Sequence, residues 1–173
     1  MKQYTRAGRH ILAPGGILEV DMVMLSTNLV RMIESHAEQI IAEAIRRVRQ
    51  DAELPHLNKL ADAELRGWAG HILKHLGDWL TVSDEKQIAS CYQGLGRLRF
   101  EEHVPLHESV RNFQALKDLT VSYVRNQGAR QTTIELYAEE ELEHSLYKFF
   151  DKMIYHVVRG YECAQRFSQA AMR

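Results

Sequence analysis

The chain has 173 residues, of which 22 are basic and 23 acidic, and this length supports one domain with a core of its own. Its hydrophobic fraction of 45% and charged fraction of 26% are ordinary globular values and exclude wholesale disorder. A net charge of −1 without a basic face argues against a nucleic-acid partner, and no apolar stretch reaches the roughly 18 residues of a transmembrane helix.

The N-terminal segment differs from the rest of the chain. Pro14-Gly15-Gly16 is a strong turn signal, which predicts either a small hairpin or a loosely docked arm. No apolar segment of signal-peptide length follows the basic residues of the N-terminus, so we expect a cytoplasmic protein without membrane contact. We divide the chain into an N-terminal arm, 1–18, and a single helical domain, 19–173.

The first helix is predicted from about Glu19 to Gln50, where apolar residues recur at helical spacing. Ser26 or Asn28 is expected to interrupt it, because both side chains compete for backbone hydrogen bonds. Residues 51–59 contain Pro55 and predict a loop.

The second helix is predicted to be capped by Asp62 and to extend to Leu80, with one broad apolar face. A third is predicted to be capped by Ser83 and to continue toward Glu102. Its two glycines, Gly94 and Gly96, cost about 1 kcal/mol each relative to alanine, which indicates a close approach of another helix.

The last two helices are predicted from proline and capping signals. Pro105 is expected at the first position of a helix that ends near Asn126-Gln127-Gly128. Thr132 and Glu135 match a capping box and begin the final helix. There is no convincing strand pattern after residue 20. The fold class is therefore all-α, with about five to six helices in a globin-like or an orthogonal or up-down bundle.

The final helix of about forty residues would be roughly 60 Å long, which exceeds one compact domain of this size. Apolar residues recur along it at alternating steps of four and three, and we call this set the apolar stripe: Leu146, Phe150, Met153, Val157, Gly160, Ala164, Phe167 and Ala171. A second copy of the chain or a following domain is expected to cover the overhang. The predicted dimer interface is the stripe from Leu146 to Phe167, although its first half equally suits packing within the chain.

Metal and cofactor sites are weighed against structural alternatives. His71 and His75 have a spacing that suits two metal ligands, and Glu141 with His144 forms an ExxH unit of the di-iron type, as does Glu53 with His56. Surface histidines and an acidic first helical turn explain these patterns better. One helical histidine can suffice for haem, and the conceivable axial ligands are His36, His75, His107, His144 and His156.

Two further patterns favour structural roles. Cys91 and Cys163 lack the spacing of a metal site or disulfide framework and behave as small apolar residues of a reducing compartment. A ligand pocket around Trp68, Trp79 and Tyr92 is conceivable, but aromatic residues at helical spacing usually form core. No nucleophile elbow or phosphate-binding glycine loop is present, so we expect no enzyme and no cofactor. The alternative is a haem- or metal-dependent helical sensor or oxidase.

The order of several short segments resembles a known family. These segments are Met32-Ile33-Glu34-Ser35-His36-Ala37-Glu38-Gln39-Ile40, Val48-Arg49-Gln50-Asp51 before a proline-containing loop, Leu98-Arg99-Phe100-Glu101, Val104-Pro105-Leu106-His107-Glu108 and Val158-Arg159-Gly160-Tyr161-Glu162. Over about residues 28–166 the chain is similar to the N-terminal domain of RsbR-type proteins, the stressosome co-antagonists of RsbT. Related domains also stand at the front of some histidine kinases and transcription regulators.

The resemblance implies a bacterial sensory module that is helical, dimerises and normally lacks haem. In that family a long C-terminal helix leads into an output domain, often a phosphorylatable STAS domain. Because the sequence ends at Arg173 without one, we expect either a standalone member that acts by protein contact or a segment cut at the linker. The hypothesis is a non-enzymatic signalling module that forms a parallel or antiparallel homodimer. It would relay a signal through its final helix to an output domain or partner.

Overall fold

The computed structural model describes the backbone of residues 15–81, 85–127 and 132–171 and the side chains of 24–81, 85–126 and 132–171. Within these ranges the protein is all-α, as predicted, and contains no strand. The helices are α1 (Gly15–Ser35), α2 (Ala37–Gln50), α3 (Asp62–Leu73), α4 (Leu76–Thr81), α5 (Glu85–Glu101), α6 (Leu106–Gln127) and α7 (Thr133–Ala171). The described part of the chain thus has seven α-helices rather than five or six, because two predicted helices are each divided in two. A short 3-10 helix, Leu57–Lys59, lies between α2 and α3.

The first division lies at His36, which separates α1 from α2. The backbone of His36 departs from helical geometry, with φ −107° and ψ 12°. The Ser35 hydroxyl donates to the carbonyl oxygen of Met32 at 2.9 Å, and Nδ1 of His36 lies 2.9 Å from the same oxygen. Side-chain competition for a helical carbonyl therefore ends α1 here. The predicted interruption at Ser26 or Asn28 was wrong, since both residues lie within α1.

The second division lies at Lys74 and His75, between α3 and α4. The carbonyl oxygen of His71 accepts a hydrogen bond from the Trp79 indole nitrogen at 3.1 Å. The Trp79 amide in turn donates to the His75 carbonyl at 3.1 Å and begins α4. A side-chain donor thus satisfies a carbonyl that a continuous helix would pair with the backbone, which lets the chain turn without an unpaired acceptor.

Four predicted helix starts are shifted or lie outside the described residues. Ala61, and not Asp62, is the N-cap of α3. Asp62 is the first residue of the helix, and its carboxylate accepts a hydrogen bond from the Arg49 guanidinium at 2.5 Å. Pro105 directly precedes α6 instead of opening it, and its carbonyl oxygen accepts a hydrogen bond from the Ser109 amide at 3.2 Å. The predicted cap Ser83 lies outside the described residues, as does the hairpin or arm predicted for residues 1–14. Residues 15–18 of the predicted arm belong to α1.

The core is arranged around α7, which contacts α1, α4, α5 and α6. Ring contacts of Tyr92 with Phe149 and of Phe100 with Tyr161, at 6.1 and 5.4 Å, show that α5 and α7 run in the same direction. The antiparallel direction of α6 follows from its ion pairs with α7, Lys117 to Asp151 at 3.4 Å and Arg125 to Glu143 at 2.6 Å. None of the described helices has the length and apolar character needed to cross a membrane.

Candidate functional site: the C-terminal helix and its contacts

The start of α7 is fixed by a reciprocal cap. The Thr132 amide donates to the Glu135 carboxylate at 2.9 Å, and the Glu135 amide donates to the Thr132 hydroxyl at 3.3 Å. This is the predicted capping box, and it satisfies two amides at a helix terminus that would otherwise lack partners. From there α7 continues for 39 residues, which is roughly 58 Å at 1.5 Å per residue.

The first half of the apolar stripe faces the interior of the chain itself. The side chains of Leu146, Phe150, Met153 and Val157 are 0% exposed, and Gly160 is also buried. Apolar residues of the neighbouring helices occupy the space around them. Because these positions are filled by intramolecular packing, they are not available to a second chain in this fold. Of the predicted interface residues, Ala164 and Phe167 remain accessible.

The closest contact of α7 is its crossing with α5 at two glycines. A Cβ atom added to Gly96 would lie 2.0 Å from the carbonyl oxygen of Val157, and one added to Gly160 would lie 2.1 Å from that of Gln93. Both distances are far below van der Waals contact, so only glycine permits this backbone approach. The predicted close approach is confirmed for Gly96 and wrong for Gly94, where an added Cβ would meet nothing within 4 Å.

Beyond Gly160 the character of α7 changes. None of residues 161–171 is buried, and the side chain of Phe167 is 71% exposed. Tyr161 still packs edge-on against Phe100 of α5 at 5.4 Å between ring centroids. After this contact Ala164, Phe167 and Ala171 continue the apolar stripe at the same spacing. They lie on the side of the helix that is buried before Gly160, but here that side is accessible over roughly 16 Å. The structure therefore divides the apolar stripe at Gly160 into a core part and an exposed part.

Buried polar groups lie at the α5–α7 contact. His156 of α7 is buried, with Nδ1 3.5 Å from the Gln93 amide nitrogen and Nε2 3.8 Å from the Glu85 carboxylate. Its Nε2 and the Tyr92 hydroxyl have no hydrogen-bond partner among the described residues. Burial raises the pKa of Tyr92 well above its usual range, so the phenol stays protonated. This contact combines apolar packing with polar groups that are not fully satisfied.

Among the buried charged residues that the sequence did not reveal are Arg99 and Glu108, and Glu139 of the predicted exposed acidic stretch is buried as well. Arg99 of α5 pairs with Glu64 of α3 at 2.8 Å and with Glu102. Burial is the main cause that raises the pKa of Glu102 above its ordinary value, and the neighbouring Glu64 adds to the increase. These contacts join α3 to the end of α5. Glu102 lies three residues after Arg99, a common ion-pair spacing, but no spacing in a single sequence indicates Glu64 as the other partner.

Glu108, at the start of α6, is the second of these residues, and it forms hydrogen bonds to the loop after α2. Its carboxylate accepts the amides of His56 and Leu57, each at 3.0 Å, and contacts Nδ1 of His56 at 2.6 Å. Because Glu108 is only 1% exposed, three hydrogen bonds replace the water that its charge would otherwise require. His56 of the Glu53–His56 pair therefore binds Glu108 and holds a loop in place.

The remaining histidine candidates are distributed over the molecule. His71 and His75 are exposed, with ring centroids 6.3 Å apart, and His107, His144 and Glu141 are exposed as well. His36 is half-buried against the Tyr123 ring at 5.7 Å. In the described part of the chain, no three His, Cys, Asp or Glu side chains come close enough to hold a metal ion. The structure therefore brings together none of the predicted metal pairs with further ligands.

The aromatic residues considered as a pocket are packed against other rings. Trp79 contacts Tyr92 and Phe149, at 5.4 and 6.1 Å between ring centroids, and Trp68 contacts Phe113 at 5.0 Å. Trp79 and Tyr92 are buried in the core. The two cysteines are free thiols, and desolvation raises the pKa of Cys91. These aromatic residues pack against neighbouring side chains, which is the structural role that their helical spacing indicates.

A known protein family matches most of the chain. The family model described as the RsbT co-antagonist protein rsbRD N-terminal domain matches residues 37–171. No curated protein and no solved structure matches the chain. The matched region begins at the first residue of α2 and ends at the last residue of α7, so it includes the α5–α7 crossing and the exposed end of α7.

Proposed function

Because the chain belongs to the family of the RsbT co-antagonist protein rsbRD N-terminal domain, we propose that it is a non-enzymatic sensor module that homodimerises and relays a signal along α7. The family itself indicates a stress-signalling co-antagonist domain. The proposal adds a mechanism to that role, in which the exposed end of α7 contacts a second copy and an output domain or partner protein receives the signal.

The observation that carries this proposal is the change in the apolar stripe at Gly160. The same face of one helix is buried before this residue and accessible after it, with Phe167 largely exposed. An apolar face of a helix is stabilised when a second helix covers it, and alternating steps of four and three suit packing against an identical helix. The exposed part of the stripe, Ala164, Phe167 and Ala171, is therefore the surface that a partner chain would cover.

The contacts of α7 supply the relay. Its buried half packs against four other helices, and the backbones of α5 and α7 meet without intervening side chains at Gly96 and Gly160. Since closely packed helices do not deform continuously, a change in the packing of α1 or α5 would shift α7 as a unit. The exposed end, which is part of the same uninterrupted helix, would then move relative to its partner.

Sedimentation velocity of matched variants tests this proposal. Phe167→Asp places a charge on the exposed stripe and is expected to convert a dimer into a monomer. Gln165→Asp adds the same charge on the opposite side of α7 and is expected to leave the dimer intact. Circular dichroism would verify that both variants keep the helical content of the parent. A monomeric parent protein, or a Phe167→Asp variant that sediments as an unchanged dimer, would contradict the proposed interface.

A further inference from the structure

A cavity of about 390 Å³ lies between α1, α4 and α7. Val30 of α1, Leu80 of α4 and Leu142 of α7 give it apolar walls. Its volume is at the lower end of the roughly 300–1,000 Å³ that small-molecule sites occupy, and such sites combine apolar walls with a few polar groups. The cavity therefore has the size and wall chemistry for a small ligand with an apolar body.

Two of the four hydroxyl groups that line this cavity, those of Ser26 and Thr81, present acceptors rather than donors. Ser26 donates its hydroxyl proton to the carbonyl oxygen of Ala138 at 3.5 Å, and Thr81 is 3.0 Å from the carbonyl oxygens of both Gly77 and Asp78. Since each hydroxyl has only one proton, these oxygens offer their lone pairs to a ligand. A ligand that donates hydrogen bonds suits these walls better than one that accepts them.

The charged residues that line the cavity have one sign. They are Asp78 of α4 and Glu141 of α7, and the described lining residues include no Lys or Arg. Two basic side chains lie outside the lining: His75, whose Nδ1 is 3.7 Å from the Asp78 carboxylate and which is charged only when protonated, and Lys148, which lines the adjoining cleft beyond Leu80 and Ser145. Glu34 of α1 adds a third carboxylate nearby, since it accepts the amide of the lining residue Gly77 at 2.8 Å. The resulting field favours a cation.

We propose that this cavity binds a small alkylammonium ligand, whose positive end lies at Asp78 and Glu141 and whose hydrocarbon part contacts Val30, Leu80 and Leu142. The ammonium protons would meet carboxylate and hydroxyl acceptors, and the apolar part would displace water from apolar walls. The site lies outside the aromatic cluster of Trp68, Trp79 and Tyr92 and uses no histidine as a ligand.

Occupancy of the cavity would favour the folded arrangement of the three helices that line it, because a ligand stabilises the state that binds it. Two of these helices, α1 and α4, would be held against the buried half of α7. If α7 relays a signal as proposed above, such a ligand is a candidate stimulus. This last step rests on the proposed function, whereas binding itself does not.

Isothermal titration of the full chain with hexylammonium chloride tests the binding site, and hexanoate of the same chain length serves as the oppositely charged control. We expect saturable binding of hexylammonium and at least about tenfold weaker binding of hexanoate. The double variant Asp78→Asn/Glu141→Gln is expected to weaken hexylammonium binding by about five- to tenfold, since each rim carboxylate contributes modestly. Glu140→Gln, which changes an exposed carboxylate that does not line the cavity, should bind like the parent.

These experiments distinguish a failure of the proposed binding site from a failure of the proposed relay. Absence of saturable hexylammonium binding, equal binding of hexanoate, or an unchanged affinity of the double variant would each overturn the proposed site. Ser145→Phe fills the cavity and is expected to abolish binding; should it fail to fold, the two charge-neutral substitutions still decide. Sedimentation with and without hexylammonium then reports on the relay alone, because a ligand that binds without altering the assembly contradicts only the link to signalling.

Discussion

Gly96 of α5 and Gly160 of α7 lie at one helix crossing, and each faces the backbone of the other helix. The positions where their Cβ atoms would stand are 2.0 and 2.1 Å from carbonyl oxygens of the opposite helix. Because backbone atoms cannot move aside as a flexible side chain can, this contact fixes the separation and register of α5 and α7. The crossing also marks the point where the stripe on α7 passes from the core to the surface.

Substitution of Gly96 by alanine is expected to lower the free energy of unfolding by at least about 2 kcal/mol, because the added methyl group must push two helices apart. Gly94→Ala is the matched control two residues earlier on the same helix. Since nothing lies within 4 Å of the added Cβ there, this change should raise stability by up to about 1 kcal/mol through helix propensity. Urea denaturation of both variants measures the difference, and equal effects would show that the crossing is not close-packed.

His103 occupies a left-handed position that favours glycine. Its φ is 58°, and the amides of His103 and Val104 donate to the carbonyls of Phe100 and Arg99, each at 3.0 Å, in a Schellman arrangement that ends α5. His103→Gly is therefore expected to raise the free energy of unfolding by about 1 kcal/mol, because it relieves the strain of a side chain in this conformation. Asparagine, which tolerates it better than most residues, should give an intermediate value. Thermal or urea unfolding of the two variants checks this order, and a loss of stability in the glycine variant would contradict it.

The pH dependence of stability should include a contribution from Glu43. Hydrogen bonds from Arg46 and Arg47 lower its pKa from the ordinary 4.5 to about 2. A folded-state pKa below the unfolded value stabilises the protein above the unfolded pKa, and this contribution is lost as the pH falls through the folded pKa. Between about pH 4.5 and about pH 2 the parent should therefore lose stability more steeply than Glu43→Gln.

Urea denaturation at several pH values in this range measures the difference in slope. Because Glu43 and both arginines are at the surface, the difference should be small and should shrink further at about 1 M salt, where exposed charges are screened. Identical slopes of the two proteins at low salt would show that the hydrogen bonds of Glu43 are not maintained in solution.

Local signals predicted the local features of this fold. The capping box of Thr132 and Glu135 needs only residues three apart, and the length of α7 follows from an apolar spacing without proline. The side-chain contacts that divide two predicted helices also join residues close in sequence, such as Ser35 with Met32 and Trp79 with His71. They could not be foreseen because the apolar spacing continues through both breaks.

Contacts between distant residues could not be predicted. Arg99 and Glu64 are 35 positions apart, and Glu108 and His56 are 52 apart, so no spacing in one sequence links them. The two glycines of α5 also show that one sequence does not reveal which residues meet a distant helix. They indicated a close approach, but Gly94 and Gly96 face nearly opposite sides of a helix, and only the position of α7 determines which one is needed.

Amide hydrogen exchange at increasing protein concentration tests most directly whether α7 is core before Gly160 and a dimer surface after it. We expect amides of residues 164–171 to become more protected as the protein concentration rises, because a second chain covers them. Amides of residues 138–160 should be strongly protected at every concentration. Protection of residues 164–171 that does not depend on concentration, or a concentration effect confined to the buried half, would contradict the claim.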